Sequence, residues 1–160
     1  MDILARMRLV AVVAVLMTLG ATGCGGDEQP REDPGAFVKT LVRTVYRHQA
    51  GAAWETLHPL HRETVTRARY VECERKAPLE GEVRSIAVVS VQDVQATVPG
   101  QDEQVPSKAV EVRYLLKLPG IAEPQPVTHT AHVFAVEGHW AWVIGPGDYA
   151  SYAAGSCPAG

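Results

Sequence analysis

Four of the six histidines are spaced in pairs that could chelate a metal ion. His58 and His61 are three residues apart, a spacing that puts two side chains on one face of a helix, but the intervening Pro59 is expected to break a helix there. His129 and His132 are also three apart, and on a strand an odd spacing sends side chains to opposite faces. No Cys or carboxylate completes a tetrahedral set, so we expect no metal site and no cofactor.

One glycine-rich stretch could bind phosphate. Residues Gly145 to Ala150, "GPGDYA", fit a loose G-x-G-x-x-A pattern. The dinucleotide-binding fold needs a further helix and a parallel strand after this turn, and only ten residues follow Ala150. No G-x-S-x-G, P-loop or C-x-x-C motif occurs, so the sequence shows no basis for nucleophilic, phosphoryl or dithiol chemistry.

Helices must position the residues of the first half of the chain. Asp33 is a good N-cap ahead of Pro34, and apolar residues recur every fourth position from Phe37. This periodicity predicts an amphipathic helix that ends at Gly51, in the left-handed position that closes many helices. Short helical turns are expected on both sides of Pro59, and a short helix capped by Thr66 should carry Tyr70 and Cys73 on one side.

In the second half of the chain, strands are expected to position the candidate residues. Alternation of apolar and polar residues predicts four of them: 83–98, 109–118, 127–136 and 139–144. The alternation of the first strand slips near Val88 and Val89, as a β-bulge would make it, and a tight turn at Glu137 and Gly138 should join the last two. Helices followed by antiparallel strands indicate an α+β fold.

The N-terminus carries an export signal. An apolar run from Leu9 to Leu19 follows two arginines and is too short to span a bilayer, but has the length of a signal-peptide core. It ends in "ATGC", Ala21 to Cys24, which resembles a bacterial lipobox with alanine in place of the usual leucine. The resemblance implies cleavage before Cys24 and lipidation of its thiol; an ordinary secretory signal is the alternative. Translation is expected to start at Met7, because Asp2 does not suit a basic leader.

This interpretation divides the chain into a signal peptide (1–23), a polar, flexible tether (24–33) and one domain (34–160). Removing the leader takes two residues from 15 basic ones and one from 18 acidic ones, which leaves 13 and 17, a net charge of −4. A mildly acidic domain without a basic stripe is not expected to bind nucleic acid. The predicted location is the outer face of the cytoplasmic membrane, held there by the lipid.

Three cysteines remain to be assigned. If Cys24 carries lipid, Cys73 and Cys157 are left as an even pair in a compartment that permits disulfides. We therefore predict a bridge between them, and two free or buried thiols are the alternative.

The pattern as a whole resembles the NTF2-like superfamily, and more narrowly its small lipoproteins from high-GC Gram-positive bacteria. The resemblance rests on the helix near Gly51, Trp54, the "LHP" of Leu57 to Pro59, and the closing "EGHWAWV". It implies a strongly bent sheet that wraps around the helices as an NTF2-like or cystatin-like cone with an internal cavity. Candidate lining residues of that cavity are aromatic: Tyr46, Trp54, Tyr70, Tyr114, Trp140 and Trp142.

Two functions from different classes follow. The first is a non-catalytic lipoprotein domain that binds an apolar small ligand or an envelope protein, with homodimerisation through the sheet as a further option. The second is a lyase or isomerase of the ketosteroid-isomerase type, acting on a small hydrophobic substrate. The enzymes of the superfamily place acid and base groups inside the cone. Here the candidates would be Tyr46, Tyr70, Tyr114, His129 or His132, with Asp93 as a possible base. None of them stands in a pattern that carries over from those enzymes, so no catalytic residue is assigned.

Overall fold

The computed structural model describes residues 29–159. The predicted signal peptide and the first five residues of the predicted tether, among them the predicted lipidation site Cys24, lie outside them. Within the described part, five helices and four strands form an α+β domain. The helices are α1 (Pro34–Tyr46), α2 (Ala50–Glu55), α3 (Pro59–Thr64), α4 (Arg67–Lys76) and α5 (Pro146–Ala153). The strands are β1 (Glu82–Thr97), β2 (Gln104–Lys117), β3 (Gln125–Val136) and β4 (His139–Trp142).

Two predicted N-caps are confirmed. The carboxylate of Asp33 accepts a hydrogen bond from the Ala36 N–H at 2.8 Å and opens α1. The hydroxyl of Thr66 accepts one from the Arg69 N–H at 3.3 Å and opens α4. Each bond satisfies one of the backbone donors that a helix leaves unpaired in its first turn.

The predicted end of the first helix is wrong. Gly51 lies inside α2, and α1 ends at Tyr46. The left-handed residue is His48 (φ 57°), whose N–H donates to Val45 O, while the next N–H, that of Gln49, donates to Thr44 O. This pair of bonds is a Schellman motif, which closes the helix three residues earlier than the glycine suggested. As expected, no helix continues through Pro59: α2 ends at Glu55 and α3 begins at Pro59, where the missing N–H of proline costs nothing.

The sheet is an antiparallel meander in the order β1-β2-β3-β4. The predicted bulge is confirmed, because Val88 pairs with Val112 and Ser90 with Glu111, which leaves Val89 as the extra residue. A second bulge, not predicted, lies between Val83 and Ser85. The predicted tight turn is also confirmed: Glu137 and Gly138 both have positive φ and join β3 to β4.

Two hydrophobic clusters form the core. The first lies between α1 and the sheet and consists of Phe37, Val38, Val42, Val110, Val112, Tyr114, Leu116, Val133 and Trp140. The second lies among the shorter helices and the end of β4 and consists of Leu57, Val65, Tyr70, Cys73, Ile144 and Tyr152. Trp142 links the two, since it packs against both clusters and forms a parallel bridge with Leu57 at the outer edge of β4.

The predicted disulfide is present. Cys73 in α4 and Cys157 after α5 are bonded, with their Cα atoms 5.3 Å apart and a sequence separation of 84. The bridge holds the C-terminal segment, including α5, against α4. In the chain-entropy model a loop of this length contributes about 4–5 kcal/mol, reduced by any residual structure in the unfolded chain.

Candidate functional site

An open groove of about 700 Å³ lies beside the start of α1. Its walls come from segments far apart in the sequence. They are residues 29–32, Phe37, residues 55–57, Pro59, Arg62 and the β3–β4 hairpin at residues 136–141. A volume of this size is in the range of small-molecule sites, and its openness to solvent would also admit a segment of a larger partner.

The N-terminal wall is attached to the domain. The indole N–H of Trp140 donates to the backbone oxygen of Glu32 at 2.7 Å, and Pro30 is buried. Residues 29–33 were predicted to belong to a flexible tether that buries nothing. This part of the predicted tether instead lies against β4, because a largely buried indole N–H needs an acceptor and a proline ring is apolar enough to be covered.

The floor of the groove is apolar. Phe37, Leu57, Trp140 and Ala141 all lie in it and are all at least nine-tenths buried. They present ring faces and aliphatic carbon to whatever enters, so burial of an apolar group on this floor would be favourable.

The rim of the groove carries charges of both signs. The guanidinium carbon of Arg62 lies 5.9 Å from the centre of the Trp54 ring, within the range of a cation–π contact. Glu55 forms an exposed ion pair with Arg67 at 3.0 Å, and exposed pairs of this kind hold their partners weakly. Glu137 is held at the tip of the hairpin by its positive φ of 50°. An apolar floor under a rim of mixed charge suits an amphiphilic ligand.

Of the six aromatic residues predicted to line a cavity, Trp140 lines this groove and Tyr46 lines the second pocket, of about 110 Å³. Tyr46 and Tyr114 meet in the first core, with their ring centres 5.8 Å apart and their hydroxyl oxygens 3.3 Å apart. Burial, together with the hydrogen bond to Tyr46, raises the pKa of Tyr114 above its usual value. The Tyr114 hydroxyl is therefore neutral at physiological pH.

The other three line neither pocket. Trp54 donates its indole N–H to Val65 O, and Trp142 donates its own to Ala53 O, both at 2.9 Å. Tyr70 lies edge-on to Trp142, with 6.5 Å between the ring centres. These contacts join the short helices to one another and to β4. The structure thus distributes the six residues over both cores and does not collect them around one cavity.

His61 is completely buried and joins three parts of the chain. Its Nδ1 accepts from the Ile144 N–H at 3.0 Å, so the proton lies on Nε2, which contacts Pro99 O at 2.9 Å. Its ring lies 4.7 Å from that of Tyr149 in α5. Burial lowers the pKa of His61, although the bond to Pro99 opposes this effect. With both nitrogens bonded to backbone, His61 has no free atom for catalysis or for a metal.

The remaining titratable candidates do not converge. His58 lies 6.2 Å from His61 between ring centres, and its buried Nδ1 has no hydrogen-bond partner among residues 29–159. His129 and His132 are exposed on β3, and His132 Nδ1 lies 3.5 Å from the hydroxyl of Ser107. Asp93 pairs with Lys108. Within residues 29–159, no three His, Cys, Asp or Glu side chains are grouped so that they could hold a metal ion.

A cluster that the sequence did not reveal lies beside the disulfide. Glu74 in α4 is half-buried, and burial together with the charge of Asp148 raises its pKa. The hydroxyl of Tyr152 is buried there and interacts with the Glu74 carboxyl. Burial and these two carboxylates raise the pKa of Tyr152. None of these residues lines the groove. In the sequence they cannot be distinguished from the ordinary polar residues of an exposed helix face.

The sequence analysis also missed most of the groove. Arg62, Glu55 and Phe37 follow ordinary helical periodicity, and residues 29–32 gave no sign of burial except the single proline. The segment 29–159 contains no helix long and apolar enough to cross a membrane.

Fold and site together define an α+β domain with an open, amphiphilic groove next to its N-terminal segment. Comparison of the chain with protein-family models, curated proteins and solved structures finds no match in any of the three.

Proposed function

We propose that this chain is an extracytoplasmic lipoprotein, held at the outer face of the cytoplasmic membrane by lipid on Cys24, whose domain is a non-catalytic binding module. The groove is its binding site, for an apolar portion of a small ligand or of an envelope protein. We further propose that the bent sheet and its helices form the cone of the NTF2-like superfamily.

One observation supports the proposal: the groove is walled by residues 29–32, which belong to the predicted tether and begin five positions after the predicted anchor at Cys24. A module anchored at Cys24 would hold this groove close to the membrane. The disulfide supports an extracytoplasmic location, because such bonds persist in oxidising compartments and are rare in a reducing cytosol.

The geometry favours binding over the isomerase or lyase alternative. The tyrosine pair that would serve such chemistry bonds to itself, at 3.3 Å. The pocket beside it has about 110 Å³, well below the roughly 300–1,000 Å³ of typical ligand sites. In the described part of the chain, the completely buried histidine has both ring nitrogens engaged by backbone.

Intact-mass analysis of the membrane fraction tests the anchor. The expected species begins at Cys24 and carries the mass of a diacylglyceryl group and an acyl chain, while Cys24→Ala should remain unprocessed. Recovery of the unprocessed, fully reduced chain from the cytosol would contradict the proposal.

Native mass spectrometry of protein extracted from its own membrane tests the groove. We expect a copurifying non-covalent mass that is reduced in Arg62→Glu and unchanged in the control Arg84→Glu, since Arg84 lies on β1 away from the groove. If both variants retained the copurifying mass equally, the binding site would lie outside the groove. Light scattering of the same sample tests the predicted homodimer.

A further inference from the structure

The position of the groove relative to the anchor constrains what can reach it. Five residue steps separate Cys24 from Gln29, the first residue of the groove wall. A fully extended chain covers at most about 3.6 Å per residue, so Gln29 lies within roughly 18 Å of the lipidated residue. The headgroup layer itself is about 5–7 Å thick on each side of the bilayer. The groove is therefore confined to the immediate neighbourhood of the lipid headgroups.

From this confinement and from the chemistry of the groove, we propose that its occupant is a zwitterionic phospholipid of the anchoring membrane. The proposal rests on the proposed anchoring at Cys24 and names the ligand of the same groove. The phosphate would bind near Arg62, the headgroup ammonium near Glu137 or Glu55, and the glycerol with the upper acyl carbons on the floor formed by Phe37 and Trp140.

The charges of the rim select this headgroup over others. The residues of the groove include two guanidinium groups, Arg31 and Arg62, and three carboxylates, Glu32, Glu55 and Glu137, so an anionic headgroup would bring its charge near an excess of negative groups. A purely apolar ligand would desolvate the rim charges without pairing them, which is costly. A headgroup with one phosphate and one ammonium pairs with both signs, and the buried aromatic floor accepts the hydrocarbon that a soluble zwitterion lacks.

Tethering lowers the affinity that such a site needs. A ligand confined to the same surface as a short tether is presented at an effective concentration of the order of millimolar. A groove open to solvent and polar at its rim can be occupied under these conditions although it would bind the same lipid weakly from dilute solution.

Quenching of tryptophan fluorescence by brominated lipid tests the proposal. The lipidated protein, whose anchor is first verified by intact mass, is reconstituted into vesicles that contain increasing fractions of either phosphatidylethanolamine or phosphatidylglycerol brominated near the glycerol. We expect brominated phosphatidylethanolamine to quench a component that is lost in Trp140→Phe and kept in Trp142→Phe, because the indole of Trp142 donates to Ala53 O and does not line the groove.

A change of charge at Arg62 distinguishes quenching by a lipid bound in the groove from quenching that arises only because the domain lies close to the bilayer. Arg62→Gln should raise the lipid fraction needed for half-quenching about tenfold, the effect of losing one charge-assisted hydrogen bond, while the control Arg84→Gln leaves it unchanged. Equal quenching by both headgroups with no effect of Arg62→Gln would overturn the proposal. So would a polypeptide cross-linked in the groove, an outcome that leaves the proposed lipoprotein binding module intact. An unmodified Cys24 would instead remove the proposed function itself.

Discussion

Replacing His61 by leucine tests the view that this residue links three segments of the domain. The side chain is completely buried, and its two ring nitrogens bond to the N–H of Ile144 at 3.0 Å and to the carbonyl of Pro99 at 2.9 Å. A leucine side chain can fill this buried site but offers neither hydrogen bond. His61→Leu therefore leaves one backbone donor and one backbone acceptor without their partners.

The expected loss follows from those two groups. A buried polar group that loses its partner costs about 1–3 kcal/mol, so two cost about 2–6 kcal/mol. Burial of the leucine side chain offsets part of this sum, and we expect a loss of about 2–4 kcal/mol in the free energy of unfolding. This is a large part of the 5–15 kcal/mol typical of a small domain.

The assay is denaturant unfolding at pH 7.5 with the disulfide intact, and His129→Leu is the matched control. The control makes the same chemical change at an exposed position of β3, where substitutions usually alter stability by less than about 0.5 kcal/mol. If His61→Leu lost less than about 1 kcal/mol, the two backbone bonds would not hold the segments together and our account of His61 would be refuted.

The same residue makes stability depend on pH. Burial lowers the pKa of His61 in the folded protein below its usual value of 6.5, so the unfolded chain takes up a proton first as the pH falls. The stability that neutral His61 contributes is fully present above pH 6.5. Below that pH the free energy of unfolding decreases, by at most about 1.4 kcal/mol per pH unit, until the folded-state pKa of His61 is reached. Unfolding measured from pH 7.5 to pH 5 should show this decrease in the natural sequence and a smaller one in His61→Leu. Identical pH profiles would assign the decrease to other groups.

Two further perturbations address the disulfide and a turn. Replacing Cys73 and Cys157 together by alanine should cost about 2–5 kcal/mol in chemical denaturation, and two alkylatable thiols in the unreduced, denatured protein would show that no bridge forms. Gly100→Ala should destabilise by about 2–4 kcal/mol, because alanine is strained at φ +94° and its methyl group would collide with the hydroxyl of Tyr149. The control Gly120→Ala has a similar φ of +74° but open space around it, so it should lose only the conformational part, about 1–2 kcal/mol; equal losses at both positions would exclude the steric contribution.

Local patterns predicted most of the elements correctly. The caps at Asp33 and Thr66, the bulge at Val89 and the turn at Glu137 each depend on residues within a few positions of one another. The helix α5 was missed because its sequence, "PGDYASYA", has little amphipathic periodicity. Short helices of this kind are stabilised mainly by tertiary packing, here by burial of Tyr152 and by the disulfide that follows it.

The aromatic residues show the limit of such patterns. Alternation correctly placed Trp140 and Trp142 on one face of β4, since both pack against the first core. It could not tell that Trp140 would wall a groove while Trp142 donates to Ala53 in α2. That difference depends on which distant segment lies above each ring.

By itself, the sequence determined the order of the first four helices and the four strands, the caps of α1 and α4, the turn between β3 and β4, and the pairing expected of the two cysteines of the domain. These features follow from local backbone geometry, from periodic burial and from the count of residues. Only the tertiary structure decided where the groove lies and what it is made of, because Trp140 meets Glu32 across 108 residues of sequence. The free energy of such a contact depends on how the helices and the sheet pack around the two hydrophobic clusters, and no short stretch of sequence encodes that packing.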